Sequence, residues 1–196
     1  MRRAAAGVRY SGALRQVKGT LFVDYVRMLR GHKGVDWAAR LPPEDVALVR
    51  GRVEASAWYP MDAFERLGNL ILDVVARGDL RLVRMWGRYS VDQLRAAMPA
   101  LVAPGDPLET LNRFRVLRAT FFDFEALEVL MLHDDEAHLV VRYHMGEVAE
   151  EAAAHQTMGF FERLLELAGA RQVGAEFTSR AWAGALRTVL VLRWRS

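Results

Sequence analysis

Four of the five histidines lie in pairs whose spacing could do chemistry. His133 and His138 bracket an acidic turn at 134–136, and a tight turn would place them side by side across a hairpin, where they could hold a divalent cation. His144 and His155 flank the start of a predicted long helix, and His144 could point into a cleft beside that helix. Solvated turn residues and a half-buried histidine bonded to the backbone are the simpler interpretations, and we predict no metal site.

Arginines form the second chemical pattern. Arg77, Arg81, Arg84 and Arg88 recur every three or four residues, so they would share one face of a helix. Arginine suits two-pronged contacts with carboxylates and phosphates. We therefore predict that Arg81, Arg84 and Arg88 bind an anion or an acidic partner. The alternative is a solvated face whose arginines pair with local acids.

Aromatic residues could line an apolar pocket. Trp58, Tyr59, Phe64, Trp86 and Tyr89 lie near predicted helix ends, where aromatic side chains more often belong to the core. The sequence contains no serine-hydrolase elbow, zinc-protease helix, phosphate-binding loop or dinucleotide fingerprint. We therefore predict that the chain is not an enzyme.

Composition bounds the remaining classes. The chain has 196 residues, of which 52% are hydrophobic and 26% charged, which is typical of a globular domain. It has no cysteine, which excludes disulfides and thiol chemistry. The net charge of +3 is too small to indicate nucleic-acid binding by itself. No apolar run is long enough for a membrane helix or a signal peptide, so we expect a cytoplasmic protein.

The predicted elements change character near residue 118. Apolar residues at helical spacing predict helices that begin near Gly19 and cover 43–54, 60–78, 79–89, 90–98 and 107–117. Segments 121–132 and 137–145 then read as a strand hairpin, 147–169 as a long helix, and 171–180 and 185–194 as a second hairpin. Helices followed by strand–strand–helix–strand–strand predict an α+β fold, in which a helix covers a four-stranded antiparallel sheet.

These elements define the predicted organisation of the chain. Residues 1–16 read as a basic N-terminal tail, and 17–196 as a single domain. Its helical part covers about 17–117, and its sheet part about 118–196.

Several segments carry a family resemblance. VKGTLF at 17–22, Tyr59-Pro60, WGRYS at 86–90, VVRYHM at 140–145 and GFFERLLELAGA at 159–170 resemble a myxobacterial paralogous family. That family is remotely similar to the haem nitric oxide/oxygen binding domain, abbreviated H-NOX. The resemblance covers roughly residues 17–195 and implies an H-NOX-like α+β fold.

The resemblance also implies where haem would be held. In H-NOX domains a histidine on the helix before the sheet ligates the iron, but the corresponding helix here, at 108–120, has no histidine, and Arg113 or Arg115 stands near the expected place. A Tyr-x-Ser-x-Arg motif binds the haem propionates, whereas this chain keeps Tyr143 and has Glu147 where the arginine would be. We therefore predict that haem is absent.

The functional prediction joins these points. We expect a non-enzymatic signalling or regulatory module that acts through a protein partner, binds a small apolar ligand in a cleft, and could form a homodimer. The cleft residues would be Trp58, Tyr59, Trp86, Tyr143 and His144. The alternative is a haem-based gas sensor with unusual ligation through His144 or His155.

Overall fold

Six α-helices and six β-strands make up residues 15–195, the part of the chain that the computed structural model describes. The helices are α1 (Gly19–Gly31), α2 (Pro43–Arg50), α3 (Met61–Val74), α4 (Leu80–Ala97), α5 (Pro107–Leu117) and α6 (Glu147–Leu167). The strands are β1 (Gln16–Lys18), β2 (Trp58–Pro60), β3 (Leu127–Leu132), β4 (Glu136–Val141), β5 (Arg171–Ser179) and β6 (Thr188–Arg195). The predicted α+β class is confirmed, as is the order strand–strand–helix–strand–strand after α5. The short strands β1 and β2 were not predicted.

The last four strands form one antiparallel sheet in the order β3-β4-β6-β5. Leu139 of β4 lies opposite Val129 of β3 on one side and Leu190 of β6 on the other. Helix α6 packs against β5 and β6, and its Phe161 and Leu165 are fully buried. The hydrophobic core therefore continues from the sheet through α6 into the helices above it.

The histidine pair of the first hairpin is not side by side. His138 lies opposite Met131, while the backbone N–H of His133 donates to the carbonyl oxygen of Glu136 at 2.8 Å. The turn therefore closes between His133 and Glu136, and it is too short to place His133 opposite His138. Instead, Nε2 of His138 lies 2.5 Å from a carboxylate oxygen of Glu136.

The helix boundaries differ from the prediction at three places. The helix predicted over 60–78 ends at Val74, and Arg77 and Gly78 have left-handed backbones, so Arg77 does not share the arginine face of α4. The segment 79–98, predicted as two helices, contains the single helix α4, in which the hydroxyl of Ser90 donates to the carbonyl oxygen of Trp86 at 3.1 Å and caps no new helix. Helix α2 ends at Arg50 and not near residue 54, because Gly51 has an extended backbone.

A short sheet at the N-terminus ties the two parts of the chain together. Val17 of β1 pairs with Tyr59 of β2 and also bridges to Phe122, and the N–H of Lys18 donates to the carbonyl oxygen of Phe121 at 2.8 Å. Most of the tail predicted over residues 1–16 lies outside the described residues, but Gln16 already belongs to β1.

Helices α4 and α6 approach each other closely at two glycines. A Cβ atom on Gly87 would lie 1.9 Å from the carbonyl oxygen of Gln156, and one on Gly159 would lie 1.9 Å from that of Arg84. The two backbones are therefore in direct contact, which no residue with a side chain would allow. We call this contact the glycine joint.

Between Arg15 and Arg195, no helix combines the length and the apolar character needed to cross a membrane.

Candidate functional site

A cavity of about 90 Å³ lies beside the glycine joint, where helices α1, α4, α5 and α6 meet the segment before β3. Its wall is mostly hydrocarbon, and eight of its seventeen lining residues are aromatic. We call it the central cavity. The eight aromatic residues are Tyr25, Phe64, Phe114, Phe121, Phe122, Tyr143, Phe160 and Phe161.

The aromatic rings support one another. The rings of Tyr25 and Phe64 stack with centroids 4.1 Å apart, and those of Phe114 and Phe161 meet edge to face at 4.8 Å. Such pairs contribute roughly 0.5–1.5 kcal/mol each beyond the burial of their area. The wall is therefore a packed cage that does not need an occupant to hold its shape.

One side of the central cavity reaches the surface. The lining residues that keep partial exposure are Leu21, Asp24, Ser90, Gln156 and Phe160, whereas the remaining aromatic rings are buried. These five residues come from α1, α4 and α6 and form the mouth of the cavity.

The hydroxyl groups of the two lining tyrosines are satisfied within the protein. The Tyr25 hydroxyl donates to Oε1 of Gln156 at 2.8 Å, and the Tyr143 hydroxyl shares a hydrogen bond of 2.6 Å with the hydroxyl of Thr157. Burial raises the pKa of both tyrosines, so they stay protonated. The interior thus offers few unpaired polar atoms to an occupant.

Asp24 is the one charged side chain that lines the cavity within residues 15–195. Its side chain keeps 23% of its exposure, and Oδ1 lies 3.5 Å from Nη1 of Arg27. Burial raises the pKa of Asp24, and the charge of Arg27 lowers it in part. A half-buried carboxylate with one distant partner therefore stands at the mouth.

Tyr143 reaches the cavity from the loop between β4 and α6. The backbone N–H groups of Tyr143 and Met145 donate to the carboxylate of Glu150 at 2.8 and 2.9 Å, and that of Gly146 donates to Glu65 of α3 at 2.8 Å. Burial raises the pKa of Glu150, although the N–H donors of Tyr143 and Met145 lower it in part. The loop is therefore fixed by carboxylates from two helices.

Two of the predicted cleft residues lie elsewhere. Trp58 is exposed, with Nζ of Lys18 over its ring at 4.3 Å. Tyr59 is buried but stacks on Phe22 at 4.5 Å, and its hydroxyl accepts from the N–H of Glu54. Both belong to the packing around β2, so the structure does not bring them to the central cavity.

The other three predicted cleft residues are divided. Tyr143 lines the central cavity, and Trp86 lines a smaller adjoining cavity of about 20 Å³ behind Tyr25. His144 follows Tyr143 with a left-handed backbone (φ 57°), so its exposed ring lies in a separate groove with Trp182. His155 packs edge to face against Phe177 on the sheet side of α6.

The predicted anion-binding arginines are paired within the molecule. Arg84 makes a two-pronged contact with Glu162, and Nη2 of Arg88 lies 2.6 Å from Glu166. Arg81 contacts Asp79 at its own helix start. These three arginines pair with acids of the same protein, as in the alternative interpretation. Arg84 and Arg88 join α4 to α6.

Comparison with known proteins finds similarity in structure and not in sequence. No protein-family model matches the chain, and none of the curated proteins matches it. A solved H-NOX protein from K. algicida, in its Fe(II) unliganded state, superposes with a TM-score of 0.66 at 12% identity, covering 91% of this chain and 97% of that one. An H-NOX protein from S. oneidensis in its Fe(II)NO state gives a TM-score of 0.62 at 9% identity, covering 91% and 99%.

The fold is the H-NOX fold. A third structure, a point mutant of the T. tengcongensis H-NOX protein, agrees, with a TM-score of 0.58 at 13% identity over 91% of this chain and 98% of that one. The remote H-NOX similarity expected from the sequence is confirmed at the level of the fold.

The residues of this H-NOX-like chain do not fit a haem held by histidine. On α5, Arg113 contacts Glu109 and the carbonyl oxygen of Ala100, and Arg115 is exposed, so neither faces the cavity. Phe114 lies between them and points inward, where it is 3% exposed. No histidine lines the cavity in the described part of the chain, and its 90 Å³ is far below the roughly 300–1,000 Å³ of pockets for larger ligands.

The side chains of residues 15–195 also form no cluster suited to a metal ion. Over residues 15–195, no group of three or more histidine, aspartate or glutamate side chains is arranged to hold an ion.

Sequence reasoning missed most of the cavity wall. Phe114 and Phe161 are buried on the inward faces of predicted helices, and Phe160 is half-buried. Helical periodicity can mark such residues as core, but not as the border of a void. Asp24 carried a usable signal, because it shares one helical face with Leu21 and Tyr25. A charged residue within the apolar stripe of a helix is the pattern that could have identified Asp24 as a cavity residue.

Proposed function

We propose that this chain is a non-enzymatic signalling or regulatory module that binds a small, largely apolar ligand in the central cavity without haem. The observation that carries the proposal is the cavity itself, which is walled by aromatic rings, reaches the surface, and lies between the helical part and the sheet part of the chain.

The size and polarity of the cavity favour a ligand of few atoms. An engineered cavity of about 150 Å³ with apolar walls stays dry and binds benzene. The central cavity is smaller, at about 90 Å³, and its tyrosine hydroxyls already have partners. Filling it would gain dispersion contacts and displace little ordered water.

The position of the cavity supports a role in signalling. Leu21 and Ser90 of the helical part form one side, and Tyr143 and Phe161 of the sheet part form the other. A ligand that lies between the two parts shifts the equilibrium between two arrangements of these parts only if it binds one arrangement more tightly than the other. A protein partner that contacts both parts would respond to this shift.

Titration with benzene tests ligand binding directly. We expect shifts in the amide NMR signals around the cavity, and we expect Ser90→Leu to weaken binding by at least tenfold because the leucine side chain fills the mouth. The matched control is Gln93→Leu, which adds the same side chain to an exposed position of the same helix. Equal binding by both variants, or no shift in the parent protein, would refute the proposal.

Addition of haemin separates the proposal from the gas-sensor alternative. We expect no Soret band of a ligated haem. A stable band that disappears in His144→Ala or His155→Ala would support a sensor with unusual ligation and would overturn the haem-free proposal. These two histidines face away from the central cavity, so a band that depends on either one would also place the haem outside it.

A protein partner and a cytoplasmic location remain part of the proposal. The pairing of Arg84 and Arg88 with acids of α6 leaves these two side chains engaged within the molecule, which favours a protein partner over nucleic acid. Native mass spectrometry of the protein from its own host would read bound ligand, partner and any homodimer together.

A further inference from the structure

We propose that the ligand of the central cavity is a small organic cation, whose alkylammonium head group lies among the aromatic rings with the carboxylate of Asp24 as its counter-ion. This inference rests on the proposed function, because it names the class of ligand that the same cavity would take.

The aromatic wall is the first support. The face of an aromatic ring carries negative charge, and several rings around one position attract a cation, as in the cages that recognise quaternary ammonium groups. Eight of the lining residues here are aromatic, and six of these are phenylalanines. A wall built only to exclude water would gain as much from leucine or isoleucine, which attract no charge.

The charge of the wall is the second support. Within residues 15–195, no lysine, arginine or histidine lines the central cavity, whereas Asp24 does. Leu21, Asp24 and Tyr25 lie at positions i, i+3 and i+4 of α1, so the carboxylate shares the helical face that borders the mouth. The site therefore combines aromatic rings inside with one negative charge at the entrance.

The existing partner of Asp24 leaves room for a cation. Nη1 of Arg27 is 3.5 Å from Oδ1, and the Arg27 side chain is 69% exposed. Such a pair contributes little, because Arg27 remains largely solvated and its contact with Asp24 is long. A cation held in the cavity beside Asp24 would compete with Arg27 for the same carboxylate, and Arg27 would be free to turn to solvent.

The size of the cavity limits the head group. A cavity of about 90 Å³ admits a compact head group such as trimethylammonium, which is close to benzene in volume, and not a large ring system. A short chain attached to that group could leave through the mouth between α1 and α4. Choline has this shape, and 3,3-dimethylbutan-1-ol is its neutral counterpart, with carbon in place of the charged nitrogen.

Calorimetric titration with these two probes tests the inference. We expect choline to bind about tenfold more tightly than the neutral alcohol, which corresponds to about 1.4 kcal/mol. Asp24→Asn should reduce this preference, because only the attraction by the rings remains, and it should leave the affinity for the alcohol unchanged. Arg27→Gln should raise the affinity for choline severalfold, because it removes the competing cation. Asp62→Asn, which removes a charge from an exposed site on α3, is the matched control.

Each outcome distinguishes the two proposals. If the alcohol binds as well as choline or better, or if Asp24→Asn weakens both probes equally, the proposal of a cationic ligand is refuted. The proposal that the cavity binds an apolar ligand is then unaffected. If neither probe binds while benzene does, the cation is again refuted. If none of the three binds, the proposed function fails as well. Thermal unfolding of each variant, expected to match the parent, verifies that the substitution has not altered the fold.

Discussion

Helices α4 and α6 meet in two contrasting regions. At the glycine joint their backbones touch, and ion pairs from Arg84 and Arg88 to α6 flank the contact. Within one turn, Ser90 of α4 and Phe160 of α6 border the central cavity instead. The difference teaches that the void does not come from a general separation of the two helices. It lies beside a close backbone contact, which sets how far apart the helices are at that point.

The strongest test of the joint is Gly159→Ala. Its Cβ would lie 1.9 Å from a backbone carbonyl oxygen, so the helices must separate, and we expect a loss of about 3 kcal/mol in the free energy of unfolding. Gly31→Ala is the control, because no atom lies within 4 Å of the added carbon. Urea denaturation measures both. A Gly159→Ala protein as stable as the control would mean that the helices are not held in contact.

The ion pairs of the joint provide the next test. Arg84→Ala would leave the carboxylate of Glu162, whose side chain is 7% exposed, with Arg88 alone at 3.7 Å. We expect a loss of about 2 kcal/mol, reduced from the cost of a fully buried pair because Arg84 is partly solvated. Arg81→Ala removes an exposed pair on the same helix, and its urea midpoint should not move. Equal effects would mean that the α4–α6 pairs are no stronger than surface pairs.

The cavity wall should respond more weakly. Tyr143→Phe removes the hydrogen bond to Thr157 but keeps the ring, so we expect a loss of about 1 kcal/mol. Thr157→Val removes the other partner of the same bond. In a double-mutant cycle the combined loss should be smaller than the sum, since Thr157→Val alone leaves the buried Tyr143 hydroxyl without its partner. After Tyr143→Phe the Thr157 hydroxyl still donates to the carbonyl oxygen of Ala153 at 2.8 Å. Strict additivity would mean that the two hydroxyls do not interact.

The fold was predictable because its signals are local. Gly19 before an apolar stripe, the prolines around 98–107 and the alternation in β6 each mark an element from neighbouring residues alone. The single helix α4 was not predictable in this way. Ser90 is typical of a helix start, but in the folded chain its hydroxyl bonds back to the carbonyl oxygen of Trp86 in the same helix, and the residue type permits either arrangement.

The candidate site was only partly predictable, because a void is defined by residues that fail to touch. Tyr143 was predicted for the cleft and lies there, whereas His144 has a left-handed backbone and faces another groove. The pairing of Arg84 with Glu162 joins residues 78 positions apart, which helical spacing cannot reveal. Periodicity identifies the face that a residue occupies, but not the partner across from it.

The short strand β1 has a consequence for the order in which the chain folds. Its partners are Tyr59 of β2 and the segment at Phe121 and Phe122, and Arg15 just before it donates to the carbonyl oxygen of Tyr143 at 2.8 Å. Contacts across more than a hundred residues form late, because closing a long loop costs entropy before it gains any contact. On the ribosome, β1 must therefore wait for the sheet part to emerge before its pairing is complete.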